Sequence, residues 1–449
     1  MIYLVHSPST MRLELLLAAL ACCAGAANAQ VTPPGGPVVS PPGKIWIGDG
    51  TTSVGTYSGA TEAPFATALS AYGGNLREIE VLPGTYTFAD TVDVLQSGVR
   101  IYGSKGAVIE PDDRFTGVLF EVTGDGFTLE GLTLRETRDE TEGLVRVAAD
   151  EASIVGCMLD LVSAPTAPVA ALDIAPPVGQ LALDGILVRD NRFVFHPLKA
   201  APPAVTPTEQ IGLRAEHCRS IRVYANAFTP PDGAPPVQSH QTIVLSDCSY
   251  SSIAANVFGK VNAHEELVRL HSAEATAAAI SGTFAEDVGG TTVLHVGGAT
   301  GRYAVTGNVI GRALSSVSQI RVEGSAGTVI VGNQIHAHLV GNQPCEVAPP
   351  PQRAVLVTGA SDAVVSDNAF GLARAPQIGF HSTAGVTCVG NRLESDTGTV
   401  FAAIDLGPSG PSPTSHMLVL GNLSQGNWCR ILMGLPPSMG AAYNQNVNP

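Results

Sequence analysis

Short apolar segments separated by turn residues occupy most of the chain, and eight of them share one pattern. In each, an apolar residue stands three positions before an asparagine, and in all but the last another apolar residue follows two positions after it. The asparagines are Asn191, Asn226, Asn256, Asn308, Asn333, Asn368, Asn391 and Asn422. The same frame fits, with a different residue in place of asparagine, at Ser104, Leu132, Cys157 and Gly282.

These twelve positions are 23 to 35 residues apart, which is the length of one coil of a parallel β-solenoid. Asparagine fits a turn in such a coil because its side-chain amide can hydrogen-bond along a stack. Helical repeats are disfavoured, since no repeat contains a ten-residue stretch of 3.6-residue periodicity. We therefore predict an all-β fold, a single-stranded parallel β-helix of about twelve coils, with the asparagines in one column.

Two neighbouring repeats align without a gap, Ile211–Phe228 over Gln241–Phe258. The alignment places Cys218 and Cys248 at equivalent positions of adjacent coils, about one strand spacing apart, a separation that a disulfide can bridge. The two cysteines are therefore either bonded or stacked as buried thiols.

The N-terminus has the parts of a secretory signal peptide. An apolar stretch, Leu13–Ala21, follows Arg12, and the small residues Ala27 and Ala29 stand just before Gln30. We predict a signal peptide over 1–29, a Pro- and Gly-rich linker over 30–43, and a secreted, periplasmic or cell-surface location. Lipidation at Cys22 is the alternative to free secretion. No later segment approaches the length of a membrane span.

A short amphipathic helix is predicted over Pro64–Tyr72, where it would cover the open N-terminal edge of the solenoid. A Pro-Gly-Thr-Tyr turn, Pro83–Tyr86, and a Ser-Gly-Val strand start at Ser97 follow it. In this order the chain resembles the right-handed parallel β-helix proteins of the pectin-lyase-like superfamily. The resemblance covers about 44–428 and implies a cap over 44–100 with a cap helix, coils over 101–429, and a C-terminal tail over 430–449. It implies no single activity, because the superfamily contains lyases, hydrolases, epimerases, phage tailspikes and non-enzymatic surface proteins.

Composition restricts the function classes. The 49 glycines and 32 prolines disfavour a helical bundle, and 45% hydrophobic residues supply a packed core. A formal net charge of −15 argues against a nucleic-acid partner, which requires a basic surface. No metal-ligand or cofactor motif is evident, so no cofactor is predicted. The oligomeric state is left open.

Charged residues concentrate in one column, although only 14% of the chain is charged. Strand residues alternate in and out, so the residues between inward pairs such as Phe120 and Val122 should face solvent. This outward column is Glu121, Arg146, Asp173, Arg214, Arg269, His295 and Arg321, interrupted by Val244. Two residues further along each strand, a second row contains Glu216, Ser246, His271, Gly297 and Glu323.

The column predicts a groove for an elongated, acidic polysaccharide, because arginines bind sugar carboxylates bidentately. β-Elimination or C5 epimerisation needs a base beside cations that neutralise the enolate. His271 or His295 is the candidate base, and Arg269 and Arg321 would stabilise the charge. The predicted substrate-binding residues are Arg146, Arg214, Glu216 and Glu323.

Three alternatives to this enzyme remain. The charged column could serve only solubility, or the protein could be a non-catalytic surface or adhesin-like glycan-binding β-helix. A glycoside hydrolase is disfavoured, because Glu216 and Glu323 lie four coils apart, roughly 19 Å, beyond the separation of a catalytic carboxylate pair.

Overall fold

The structure is a computed structural model. It describes residues 44–48, 57–72, 78–137, 141–162, 169–196, 210–239, 241–263, 265–272, 277–298, 301–337, 353–373, 377–395, 400–405, 415–425, 428–433 and 442–444. The predicted signal peptide over 1–29 and the predicted linker over 30–43 lie outside these residues.

The described chain is a parallel β-helix in which each strand pairs in parallel with the equivalent strand of the next coil. The pairing follows from the sequence, because the repeats place β-branched and aromatic residues at equivalent strand positions. The coils contribute strands to three faces.

The first face is a 16-stranded sheet that precedes the asparagine positions in each coil. Its strands are Lys44–Gly48, Tyr57–Ser58, Glu78–Val81, Arg100–Gly103, Thr128–Glu130, Ser153–Val155, Leu187–Arg189, Arg222–Tyr224, Ser251–Ala254, Ala277–Ser281, Arg302–Thr306, Thr328–Val331, Val364–Ser366, Ala384–Val389, Ser415–Leu420 and Ala442–Asn444. Stacked strands therefore occur before residue 101 and after residue 429.

The second face follows the asparagine positions. Its strands are Gly84–Phe88, Ala107–Pro111, Thr133–Glu136, Met158–Leu161, Arg192–Phe195, Ala227–Thr229, Val257–Gly259, Phe284–Glu286, Gln334–Ala337, Ala369–Ala373, Arg392–Ser395 and Leu423–Gln425. The long strand Val309–Glu323 runs through both this face and the third, so the two belong to one 27-stranded sheet.

The third face carries the predicted charged column. Its strands are Val92–Val94, Val118–Val122, Gly143–Val147, Val169–Ile174, Gln210–Glu216, Gln241–Ser246, Glu266–His271, Val288–Gly297, Arg353–Thr358, Ile378–His381, Val400–Asp405 and Trp428–Met433. Short extra strands, Val237–Ser239 and Val261–Ala263, pair beside it, and Leu183–Asp184 pairs with Cys218–Arg219.

The core lies inside the coils and runs as one apolar cluster from Ile45 to Val419. Equivalent positions stack directly, and the rings of Phe193, Phe228 and Phe258 lie 4.6 and 4.8 Å apart, nearly parallel. Each coil thus buries its apolar side chains mainly against its two neighbours.

The asparagines form the predicted buried column. Asn308 Nδ2 donates to Asn333 Oδ1 at 2.9 Å, and Asn333 Nδ2 donates to Asn368 Oδ1 at 2.9 Å. Each oxygen also accepts the backbone N–H of the previous asparagine, as Asn333 Oδ1 does from Asn308 at 3.0 Å. The left-handed residue of the turn is the one before the asparagine, such as Asp190 with φ 58°.

One assignment in the repeat was wrong by a residue. The backbone register pairs Ile253 with Ile280, so the residue opposite Asn256 is Thr283 and not Gly282. Gly282 instead has a left-handed φ of 57°, which is the conformation of the residue before each asparagine. The Thr283 N–H donates to Asn308 Oδ1 at 2.9 Å and continues the column through its backbone.

A cap helix, α1, spans Ala63–Tyr72 and covers the N-terminal end of the core. Phe65 is fully buried, and its ring lies 5.2 Å from that of Phe88 and 6.2 Å from that of Phe120. The helix therefore shields inward side chains of the first coils from water.

Cys218 and Cys248 stack on neighbouring coils as buried free thiols, which is the second of the two predicted alternatives. The hydrogen bond with Cys248, together with burial, raises the pKa of the Cys218 thiol above its usual value.

Candidate functional site

The structure places the predicted residues in two outward rows on the third face. Register pairs Arg214 with Val244, Val244 with Arg269, Arg269 with His295, and His295 with Arg321. The second row passes from Glu216 through Ser246, His271 and Gly297 to Glu323. We call the surface formed by these two rows the charged face.

At the N-terminal end of the charged face, each arginine is neutralised by carboxylates. Arg214 makes a two-pronged contact with Asp173, from Nε and Nη2, each at 2.8 Å. This hydrogen bonding raises the pKa of Arg214 above its usual value. Arg146 contacts Glu142 at 3.0 Å and Glu121 at 3.8 Å. The predicted substrate-binding arginines 146 and 214 are therefore engaged within the protein.

Val244 separates this end from the rest of the charged face. It packs with Ala170 and Ile211 in a small apolar cluster outside the main core, and it is 7% exposed. Glu216, one coil before Ser246 in the second row, is exposed.

The next three coils bring together Arg269, His271, His295, Arg321 and Glu323, which we call the 269–323 cluster. Three of its side-chain nitrogens, Arg269 Nε, His295 Nε2 and Arg321 Nε, are buried atoms with no hydrogen-bond partner among the described residues. They lie on successive coils, so the outer two are about 10 Å apart.

His295 lies between two carboxylates. Its Nδ1 is 3.1 Å from Glu266 Oε1, and its Nε2 is 3.5 Å from Glu323 Oε2, beyond a well-formed hydrogen bond. Glu323 Oε2 also lies 3.0 Å from Arg321 Nη2. The His295 side chain is 9% exposed, whereas that of Glu323 is 46% exposed.

Glu266 was not among the predicted site residues. Burial alone would raise its pKa, but the hydrogen bond from His295, the nearby charges of His295 and Arg269 and a hydrogen bond from Gln241 lower it to about 2. Gln241 Nε2 donates to Glu266 Oε2 at 2.9 Å. An ionised Glu266 favours the His295 tautomer with the proton on Nδ1, which leaves Nε2 as an acceptor.

Strict alternation missed Glu266 because two consecutive residues, Leu267 and Val268, both point into the core at the start of the strand. Because two inward residues follow one another, the in–out alternation moves by one position. Glu266 therefore faces outward although it stands three positions, an odd number, before Arg269. Equivalent buried pairs at Leu144 and Val145 show that this corner recurs.

Gly297 leaves a small notch in the cluster. A Cβ atom there would lie 3.2 Å from His271 Cδ2 and 3.6 Å from the His295 Nε2 atom. The two imidazoles thus flank the position where Gly297 lacks a side chain, and His271 is the exposed one of the pair.

Beyond Arg321 the column ends in a buried ion pair. Arg353 crosses the face over Gly379 to Asp405, and both charged side chains are almost fully buried. His381 Nε2 lies 3.4 Å from Asp405 Oδ2. This pair bounds the open part of the charged face on its C-terminal side.

The described part of the chain holds no group of three or more His, Cys, Asp or Glu residues arranged to bind a metal ion. No helix within it is long and apolar enough to cross a membrane.

Comparison with known proteins identifies similar folds. No protein-family model matches the sequence, and no curated protein matches it. Among solved structures, the surface protein and adhesin PfbA of Streptococcus pneumoniae is 13% identical with a TM-score of 0.51, over 82% of this chain and 95% of that one. DFA-IIIase from Arthrobacter chlorophenolicus A6, without its lid and in complex with GF2, is 13% identical with a TM-score of 0.49, over 91% and 98%. The chain has a parallel β-helix fold, as its sequence predicted, and this fold is similar to that of PfbA.

Proposed function

We propose that this is an exported β-helix protein that binds an elongated acidic polysaccharide on its charged face, at the 269–323 cluster. Export rests on the signal-peptide pattern of the first 29 residues. The cluster is the part of the face where cationic groups converge without being fully neutralised by neighbouring carboxylates.

One observation carries the proposal, the row of three buried side-chain nitrogens on Arg269, His295 and Arg321 that lack a partner among the described residues. Buried polar groups in native proteins are nearly always hydrogen-bonded, and an unsatisfied one costs about 1–3 kcal/mol. A polysaccharide would satisfy all three, since oxygens at intervals along an extended chain accept from Arg269 Nε and Arg321 Nε, and one of its hydroxyls donates to His295 Nε2. Carboxylates suit guanidinium groups best, because the bonds are charge-assisted.

The cluster also supports a finer proposal, modification of the bound polysaccharide by β-elimination or C5 epimerisation. Both reactions remove the proton next to a sugar carboxylate. His295, held by Glu266, would be the base, and Arg269 and Arg321 would stabilise the negative charge that develops. His271, on the other side of the Gly297 notch, is the second candidate base.

The exposure of His295 favours a second candidate function, glycan binding without catalysis. Its side chain is 9% exposed, and its Nε2 faces the Glu323 carboxylate rather than open solvent. A base in this position has little access to a sugar C–H bond unless Glu323 moves away.

Binding is tested by calorimetry with alginate, pectate and hyaluronan oligomers on the wild type and on R269A/R321A. We expect the double variant to lose acidic-glycan affinity with little change in melting temperature. Arg146→Ala is the matched control, since Arg146 is already paired with Glu142 and Glu121. Equal affinity of the double variant and the wild type would remove the proposal.

Catalysis is tested on the same glycans by the ultraviolet absorbance of unsaturated uronates and by NMR of C5 stereochemistry. New absorbance or inverted C5 centres in the wild type would show catalysis. Loss of the product in only one of the variants H295A and H271A would identify that histidine as the base. Binding without either product leaves the non-catalytic function.

A further inference from the structure

Glu323 occupies the place in the 269–323 cluster that suits a ligand carboxylate. Its Oε2 lies 3.0 Å from Arg321 Nη2 and 3.5 Å from His295 Nε2. The side chain is 46% exposed, so it can swing into solvent without disturbing the core. Even with Glu323 in this position, Arg321 Nε has no partner in the described part of the chain.

We propose that the Glu323 carboxylate is an internal stand-in for the carboxylate of a uronic acid, and that the bound glycan displaces it from Arg321 and His295. The inference rests on the proposed function and deepens it, because it states which chemical group of the ligand binds at which residues. It also reverses the role that the sequence predicted for Glu323, from a substrate-binding residue to a competitor.

The geometry explains why a sugar carboxylate can replace Glu323. Gly297 lies directly before Glu323 in the second row, and its missing side chain leaves space between His271 and His295. A pyranose ring seated over Gly297 could direct its carboxylate to Arg321 and a ring hydroxyl to Arg269. Glu323 would then be free to turn toward solvent.

The charges around the site determine the selectivity. The groups that face Glu323 and His295 are Glu266, Arg269, His271 and Arg321. With Glu323 in place, a neutral glycan would have to break the ion pair between Glu323 and Arg321 without offering Arg321 another negative charge. A uronate restores that charge, so Glu323 makes the site select glycans that carry a carboxylate.

The test is the affinity of Glu323→Gln and Glu323→Ala for uronate oligomers, measured by calorimetry beside a neutral oligosaccharide of equal length. Loss of an exposed competing ion pair should tighten uronate binding about two- to fivefold. The ratio of uronate affinity to neutral-oligomer affinity should fall at the same time, because neutral glycans no longer have to displace the Glu323 carboxylate from Arg321.

Glu78→Gln is the matched control. Glu78 is 39% exposed and lies 3.2 Å from Arg100 on the first face, so its loss also breaks an exposed ion pair and changes the net charge equally. It lies eight coils before Glu323, about 38 Å, and at 0.15 M salt the screening length is about 8 Å, so the affinity of Glu78→Gln should equal that of the wild type.

The outcomes separate this inference from the proposed function. If the wild type binds no acidic glycan, both fail. If the wild type binds but Glu323→Gln and Glu323→Ala bind uronates more weakly or equally well, the stand-in role is refuted and the proposed function remains. Equally tightened binding in Glu78→Gln would show that the effect comes from net charge alone and would also refute the stand-in role.

Discussion

The asparagine column and the charged column both place one side chain per coil in a vertical row, but they satisfy their polar groups differently. In the asparagine column, Asn333 bonds to the coils on both sides, through Asn308 and Asn368. In the charged column, Arg214 is matched by Asp173, while Arg269 and Arg321 each keep a buried Nε that has no partner among the residues the structure describes.

The asparagine column stabilises the stack of coils, whereas the charged column keeps hydrogen-bonding groups that are not used within the described part of the chain. A buried amide that is fully hydrogen-bonded along the stack stabilises each coil against the next. The nitrogens of Arg269, His295 and Arg321 that lack a partner among the described residues add no such stabilisation, and they are the basis of the proposed glycan binding. The three predictions below rank positions by their effect on stability, measured by urea denaturation.

The largest loss is expected for Asn333→Ala. The substitution removes the acceptor of the Asn308 N–H and Nδ2, and the donor to Val305 O at 2.9 Å and to Asn368. Several buried groups lose partners, so the free energy of unfolding should fall by about 3 kcal/mol. Gln334→Ala, exposed in the same coil, is the control and should change it by less than about 0.5 kcal/mol. Equal losses in Asn333→Ala and Gln334→Ala would show that the asparagine column does not contribute more to stability than an exposed position of the same coil.

An intermediate, pH-dependent loss is expected for Glu266→Gln. Because the pKa of Glu266 is lowered to about 2 from 4.5, its contribution is complete above pH 4.5 and disappears as the pH falls through 2. The wild type should exceed the variant by about 2 kcal/mol at pH 6, a size reduced for partial exposure, and the gap should close at low pH. A gap that stays constant between pH 6 and pH 2 would contradict the ionised pair with His295.

The smallest loss is expected within the charged column itself. Asp173→Asn leaves Arg214 without its carboxylate partner and should cost about 1 kcal/mol. Arg269→Ala removes no described ion pair and should change the free energy of unfolding by less than about 0.5 kcal/mol. If Arg269→Ala were the more destabilising of the two, the distinction between the matched and unmatched ends of the charged face would be lost.

Much of the fold follows from sequence periodicity, because strand alternation and stacking are local rules that repeat in every coil. The gap-free alignment of Ile211–Phe228 with Gln241–Phe258 fixed a register that the backbone pairing confirms. The asparagine column was predicted to pass through Gly282, but it passes through Thr283. The error arose because Gly282 holds the left-handed turn position directly before the column.

The site was less predictable, because its chemistry depends on side-chain directions. Alternation located Arg269, His295 and Arg321 on the outer face. It could not show that Arg214 forms an ion pair with Asp173, whereas Arg269 forms none with the described residues. Glu266 escaped because Leu267 and Val268 break the alternation at the corner. A repeated pair of adjacent apolar residues at strand starts is the sequence feature that could have revealed it.

Because equivalent positions stack from coil to coil, the length of the β-helix can change by whole coils. Asn226 and Asn256 are 30 residues apart and bonded to each other, so excising one such unit would rejoin matching positions. Removal of the unit that carries Val244 would seat Arg214 directly against Arg269. Gain or loss of a repeat would therefore change the number and order of outward residues on the charged face without remodelling the interior.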